Sequence, residues 1–456
     1  MKIDWAKLNS VLFFILIFCT GILFFTLPKK LVSESEKRKL SQLPIVNLQN
    51  ILSGKLEHEF DNYYDDNFIL RSDIIGLANL IKENFGIKSD EIRYYNKPKT
   101  FKSKRNKSVK NIPVFDDSTK IFKDFKSVEK VDQPNEISDQ EIEVENDEYQ
   151  NIKSVIVFKN RAIQIFGGSK KNMAKFASMV LRYKTEIEGI KNVYCMAIPV
   201  GSDFYLPSKF SKTNEQNSID FLYKTMDTSI HCVRAYDELS NHKNEYIQFN
   251  TDHHWTGRGA YYAYQAFCKT AGIEYLDKDK FQRKVIKNFL GTLYYYTLSK
   301  SLKENTDSVE YFKIPNQTKA YYFNEGFSNA KATKLYAEYA RGGNAYGVFL
   351  GADFPLMKIV SDVKNGRKIL QIKDSYGNAF APFLSAHYEE VYIVDYRYFE
   401  GNIKELVKKY GITDIIFSHN LQVVNSSYTT FRESKMLTGH NSRIISTKKD
   451  TINTKK

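Results

Sequence analysis

The sequence predicts an α/β fold: a mostly parallel sheet flanked by helices, preceded by an N-terminal transmembrane helix. Two observations predict it. From residue 151 onward, short apolar runs alternate with amphipathic stretches, the pattern of strands joined by crossover helices. Ahead of them lies an uncharged run between Lys7 and Lys29.

That run, with Val11 to Leu27 at its core, comes first. As a helix, roughly 20 residues at ~1.5 Å each cover ~30 Å, the thickness of a bilayer's hydrocarbon core. No small-residue cleavage site precedes Pro28, so an uncleaved signal anchor is favoured over a removed signal peptide. Lys2 and Lys7 lie before the helix, whereas Lys29, Lys30, Lys37, Arg38 and Lys39 follow it. Charge alone therefore does not set the orientation. The chain is expected to be single-pass in the cell membrane with its bulk extracytoplasmic, because one span is present and the motifs below suit an exported enzyme.

Residues 1–30 thus read as a cytoplasmic N-terminus and anchor. In 31–96, a juxtamembrane helical region, Leu56, Phe60, Tyr63 and Tyr64 recur at helical spacing, as do Ile74, Ile75, Leu77, Leu80 and Ile81. Residues 97–150 are crowded first with Lys and Arg, then with Asp and Glu, and read as a charged linker or disordered insertion. Residues 151–447 read as the main α/β domain, and 448–456 as a polar tail. Within the domain, strands are expected at 154–158, 163–166, 193–199, 368–373, 391–394 and 414–417, with another starting at Cys232 to Tyr236. Helices are expected at Met173 to Ile187, Ser218 to Met226, Gly257 to Phe267 and Ile403 to Tyr410.

Composition excludes some classes. The net charge is +14 over 456 residues, but no RNA-binding signature or zinc-finger spacing accompanies it, so no nucleic-acid partner is expected. Cys19, Cys195, Cys232 and Cys268 show no C-x-x-C spacing, which argues against a zinc site or a dense disulfide framework.

Two segments carry chemistry. In Thr251-Asp-His-His-Trp-Thr256, Asp252 and His254 are two apart. In an extended segment they point the same way, so the carboxylate can fix the imidazole's tautomer while His253 points away. Thr256 can cap the helix that follows. In Ile372-Lys-Asp-Ser-Tyr-Gly-Asn378, Ser375 falls at the end of a strand, where a hydroxyl is exposed and backbone N–H groups can face an oxyanion. The segment is not G-x-S-x-G, so it is not an α/β-hydrolase elbow. The His pair could hold a metal, but no third ligand is evident nearby, and no metal or cofactor is expected.

These residues resemble a known family. Thr251 to Thr256 matches the signature of the DHHW protein family, which is similar to the alginate O-acetyltransferases of the AlgX and AlgJ type. Further blocks agree: Glu36-Lys-Arg-Lys-Leu40 with Pro44, Asp66 to Arg71, Pro199, Leu206-Pro207, Phe289-Leu-Gly-Thr-Leu293, Ile372 to Tyr376, Ala381 to Leu384 and Asp395 to Phe399. The resemblance implies an SGNH-hydrolase-like fold in a permuted order. It implies Asp252 as orienting acid, His254 as base and Ser375 as nucleophile of an acetyl-serine mechanism. Asn344 or Asn378 would supply a side-chain donor to the oxyanion. Arg397, Tyr376 and Trp255 would shape the pocket or hold substrate. The implied partners are a cell-surface polysaccharide as acceptor and a membrane-bound O-acyltransferase as acetyl donor. A polysaccharide acetylesterase, or a non-catalytic scaffold of a cell-envelope assembly, are the competing readings.

Overall fold

The computed structural model describes residues 5–29, scattered stretches between 32 and 96, and 154–439 apart from 208–213, 325–326 and 328. The expected insertion at 97–150 and the tail at 448–456 lie outside the described residues. Helix α1 (Trp5–Thr26) contains the apolar window Asn9–Thr26, with a mean hydropathy of 2.2 and side chains almost wholly exposed. It is long and apolar enough to cross a membrane. Helix α2 (Lys55–Asn67) follows, and its Tyr63 ring meets Phe24 edge-on at 5.9 Å.

A small antiparallel sheet joins β1 (Ile92–Asn96), β2 (Ser154–Phe158) and β3 (Arg161–Gln164). The main sheet opens with β4 (Asn192–Ile198) and β5 (Ile230–Cys232). A separate ribbon, β6 (Gln282–Phe289) with β7 (Asp307–Lys313), comes next. The main sheet is completed by β8 (Thr318–Phe323), β9 (Lys331–Thr333), β10 (Leu356–Ser361), β11 (Lys368–Lys373), β12 (Glu390–Asp395) and β13 (Asp414–Asn420). Its spatial order is β9-β8-β10-β12-β11-β13-β4-β5. The helices of this region include α3 (Lys170–Glu186), α4 (Glu215–Thr225), α5 (Gly257–Ala271), α6 (Thr292–Thr297), α7 (Gly377–Leu384), α8 (Ile403–Tyr410) and α9 (Ser427–Thr438).

From β12 through β11, β13 and β4 to β5 every pairing is parallel. All of them but the short edge strand β5 are buried along nearly their whole length, as strands covered on both faces must be. The expectation of a mostly parallel sheet holds for this half, and the other edge departs from it. β10, β8 and β9 pair antiparallel, so the sheet is mixed. β8 buries only Ala320 and Phe323, and an antiparallel edge tolerates one solvated face.

Helices α3 and α4 each start three residues earlier than their apolar pattern indicates. Ser169 and Asn214 cap them, and polar residues fill the first turn. Cys232 to Tyr236 is not a strand start. Strand β5 ends there, and a short helix begins at Ala235.

Candidate active site

The Asp252–His254 segment is a bent loop rather than an extended strand. Its two ends are pinned together. Gln248 bridges to Trp255, and the Thr256 N–H donates to the Ile247 carbonyl at 2.9 Å. The loop hangs from Asp307 at the start of β7. That carboxylate accepts from the Asn250 and Thr251 N–H groups, the Thr251 hydroxyl and the Tyr246 hydroxyl, at 2.6–3.0 Å. Hydrogen bonds to a charged group contribute about 1.5–3 kcal/mol each, so Asp307 is the main fastening of the loop. Thr256 then caps α5 by accepting from the Gly259 N–H, as its position predicts.

Ser375 lies in the turn between β11 and α7, at the carboxyl ends of the parallel strands. There the two sequence segments meet. His254 Nδ1 is 2.5 Å from Asp252 Oδ1, and His254 Nε2 is 2.6 Å from Ser375 Oγ. The three side chains are nearly closed off from solvent, with Ser375 6% exposed. The second Asp252 oxygen accepts the Thr292 N–H at 2.8 Å and the Thr292 hydroxyl at 3.1 Å. Burial alone would raise the Asp252 pKa, but His254 and His253 hold it well below the usual carboxylate range.

His253 does not point away. Its ring lies 3.8 Å from that of His254, and its Nδ1 is 2.6 Å from the Thr292 hydroxyl. Thr292 spends its own proton on Asp252, so its oxygen accepts from His253 Nδ1–H. Burial, then the neighbouring His254, push the His253 pKa down to about 3, which keeps it neutral. Asp252 is thus the third potential ligand that the sequence reading missed, because ligand atoms of Asp252, His253 and His254 lie within 4.8 Å of one another. The nitrogens of His254, however, face Asp252 and Ser375, a hydrogen-bonded chain rather than a metal shell.

The remaining sequence candidates divide. Trp255 is fully buried and donates its indole N–H to the Tyr376 carbonyl at 2.9 Å, while the Tyr376 hydroxyl donates to the His253 carbonyl. These two residues clamp the His loop to the Ser turn. Asn378 gives its amide to Asp353 at 2.9 Å. Arg397 pairs with Asp395 at 2.7 Å and Asp353 at 3.0 Å, and buried Lys373 joins the same two carboxylates. Two cations thus neutralise two carboxylates beside the serine turn. Asn344 sits on the exposed side of a 3₁₀ turn, Gly342–Val348. Sequence reasoning missed that turn's Tyr346, whose ring stacks on His254 at 3.9 Å and whose hydroxyl donates to the Ser375 carbonyl at 3.0 Å.

Gly291 has to be glycine. A Cβ there would lie 2.2 Å from the Asp252 Cβ and 2.4 Å from its Oδ2. The close approach is what lets the Thr292 N–H reach the carboxylate. Gly291→Ala is therefore expected to destabilise the protein by about 1–3 kcal/mol and to lower turnover by displacing Asp252. Thermal melting run beside an activity assay checks both; a variant unchanged in both would remove this role.

Behind the serine turn lies a second buried pair. His419 Nε2 is 2.7 Å from Glu433, and its Nδ1 is 3.6 Å from Asp374, whose carboxylate also receives the Asn420 and Tyr376 N–H groups. Burial would lower the His419 pKa, but Glu433 and Asp374 push it up to about 9. The folded value exceeds the unfolded ~6.5, so this stability is complete below about pH 6.5 and is lost as pH rises through 9. The melting temperature is expected to fall between about pH 6.5 and 9.5, with a shallower slope in His419→Gln.

Fold and site together define a class: a mixed α/β protein with a buried Asp–His–Ser chain at the carboxyl edge of its parallel strands. The chain belongs to the DHHW protein family, whose model matches residues 36–394. A DHHW family protein from Eubacterium siraeum is similar at 30% identity and a TM-score of 0.55, over 63% of this chain and 95% of that one. Bacillus cereus PatB1, solved with a sulfonyl adduct, shares the fold at 14% identity and a TM-score of 0.51, over 60% of this chain and 96% of that one. The O-acetyltransferase domain of Pseudomonas putida AlgJ aligns at 11% identity over 59% of this chain and 89% of that one, with a TM-score of 0.33, too distant to carry an argument. No curated protein matches the chain.

Proposed function

We propose that the chain is a membrane-anchored, extracytoplasmic O-acetyltransferase acting on a cell-surface polysaccharide, with an SGNH-hydrolase-like domain in permuted order. One observation carries the reading: Asp252, His254 and Ser375 are joined by hydrogen bonds in the sequence that acyl transfer needs. Ser375 Oγ attacks the acetyl carbonyl of a donor ester as its proton passes to His254 Nε2. The tetrahedral intermediate collapses, and His254 returns the proton to the departing alcohol. A sugar hydroxyl then attacks the acetyl-serine, giving its proton to His254. Breakage of the Ser375 ester bond restores the serine hydroxyl with that proton.

The N–H groups of Tyr376, Gly377 and Asn378 are engaged within the turn, by Asp374 and by the Ser375 carbonyl. In this reading backbone N–H groups of the serine turn hold the oxyanion, with the side chain of Asn344 or Asn378 as the further donor. Tyr376 and Trp255 act as positioning residues. Arg397 shapes the pocket wall through its pairing with Asp353 and Asp395. Helix α1 would confine the enzyme beside a membrane-bound O-acyltransferase that supplies acetyl groups.

The test is acetyl release from a chromogenic acetyl ester by the full chain in detergent, with and without oligosaccharides. Acetylated sugar supports transfer. Acetate alone moves the assignment to the acetylesterase, and no release by a folded chain favours the scaffold. A sulfonyl adduct is recorded on PatB1; here a sulfonyl fluoride is expected to label Ser375, as read by peptide mass spectrometry.

A further inference from the structure

A cleft of about 330 Å³ opens between β6 and the chain around Arg341, with Lys284, Lys287, Arg341, Tyr311 and Glu338 among its lining residues. Its charges do not cancel. Glu338 is held by the Tyr311 hydroxyl at 3.0 Å and Lys313 at 3.4 Å and also feels the Lys284 charge, which leaves the lining with one carboxylate against Lys284, Lys287 and Arg341. The Lys284 and Lys287 side chains are exposed, and among the described residues neither ammonium makes a hydrogen bond or an ion pair within 4 Å. Arg341 gives Nη1 to the Glu338 and Ala340 carbonyls at 2.6 and 2.7 Å, which fixes the guanidinium while its other N–H groups face no carboxylate among the described residues. Two mobile point charges and one held guanidinium fork suit carboxylate or phosphate oxygens.

Both walls of the cleft run into the reacting groups. Five residues beyond Lys287, and so at most about 17 Å away, stands Thr292, which holds Asp252. Arg341 caps the Gly342–Val348 turn, and at ~2.0 Å per residue Tyr346, stacked on His254, lies about 10 Å along it. The cleft is thus within about 20 Å, along the chain, of residues that contact Asp252 and His254.

We propose that this cleft is an acceptor subsite for an anionic glycan, one bearing carboxylate or phosphate groups, and that it feeds the polymer to Ser375. The inference rests on the acyl-transfer reading for its purpose, though not for its binding chemistry. It narrows the acceptor to a charged polymer and assigns its recognition to residues outside the triad.

The full chain in detergent is titrated with polygalacturonate, with poly(glycerol phosphate) and with neutral dextran of similar length. At least one polyanion is expected to bind about tenfold or more tightly than dextran, and to weaken as salt rises from about 50 to 300 mM. Tighter binding of polygalacturonate names carboxylate as the recognised group, and tighter binding of poly(glycerol phosphate) names phosphate. A K284E/K287E variant is expected to lose about tenfold in affinity, while K284R/K287R, which keeps both charges, binds as the parent does. Equal affinity for dextran, an unaffected K284E/K287E variant, or an equal loss in both double variants would overturn the subsite. Binding is read without turnover. A chain that binds polyanion but never releases acetyl refutes acyl transfer alone, and an active chain without charge preference refutes the subsite alone.

Discussion

Ser375→Ala is expected to lower acetyl-ester turnover by on the order of 10⁴–10⁶-fold while leaving the fold intact. The serine hydroxyl is the only group removed, and Ser375 is 6% exposed in a turn whose backbone is held from several sides. The Tyr346 hydroxyl holds the Ser375 carbonyl, the Trp255 indole holds the Tyr376 carbonyl, and Asp374 ties the turn to Asn420. None of these contacts involves the Ser375 hydroxyl. The variant should therefore melt close to the parent and fail to react with a sulfonyl fluoride. Turnover within tenfold of the parent would remove Ser375 as nucleophile.

The second large effect comes from replacing a single carboxylate oxygen. Asp252→Asn keeps the size of the side chain, but the Thr292 N–H at 2.8 Å demands an acceptor on its side. The His254 backbone N–H at 3.0 Å makes the same demand on the other side, so the asparagine carbonyl can meet only one of them; with the carbonyl on the Thr292 side, where the Thr292 hydroxyl also donates, the NH₂ faces His254. A donor there forces His254 Nδ1 to accept, which places the ring proton on Nε2, facing Ser375. The base then carries a proton where it should take one, and turnover is expected to fall by about 10⁴-fold. Steady-state kinetics of D252N beside its melting curve check this. A loss confined to KM would instead place Asp252 in substrate binding.

Much of this was legible in the sequence, for identifiable reasons. The central strands β11, β12 and β13 are short apolar runs, so periodicity alone locates them. Asp252, His254 and Ser375 were legible because each stands in a segment with its own local signal. The groups that hold them were not. Asp307 reads as one acid in a polar run, and only the pairing of β7 with β6 brings it under the Thr251 N–H. Thr292 and Tyr346 act across 40 and 29 residues of sequence, respectively. The antiparallel edge was missed because β8 and β9 are half-exposed and carry little apolar pattern. His253 was misread because an alternating direction holds for extended chain, and the loop is bent.

The order of the site along the chain has a consequence for biosynthesis. Ser375 follows His254 by 121 residues. At roughly 5–20 residues per second, the ribosome makes the base about 6–24 s before the nucleophile exists. Asn420 and Glu433, which steady Asp374 directly and through His419, arrive later still. A chain grown only past His254 thus has an imidazole with no serine beside it, and the Ser375 turn gains its full support only once the residues up to Glu433 have been made.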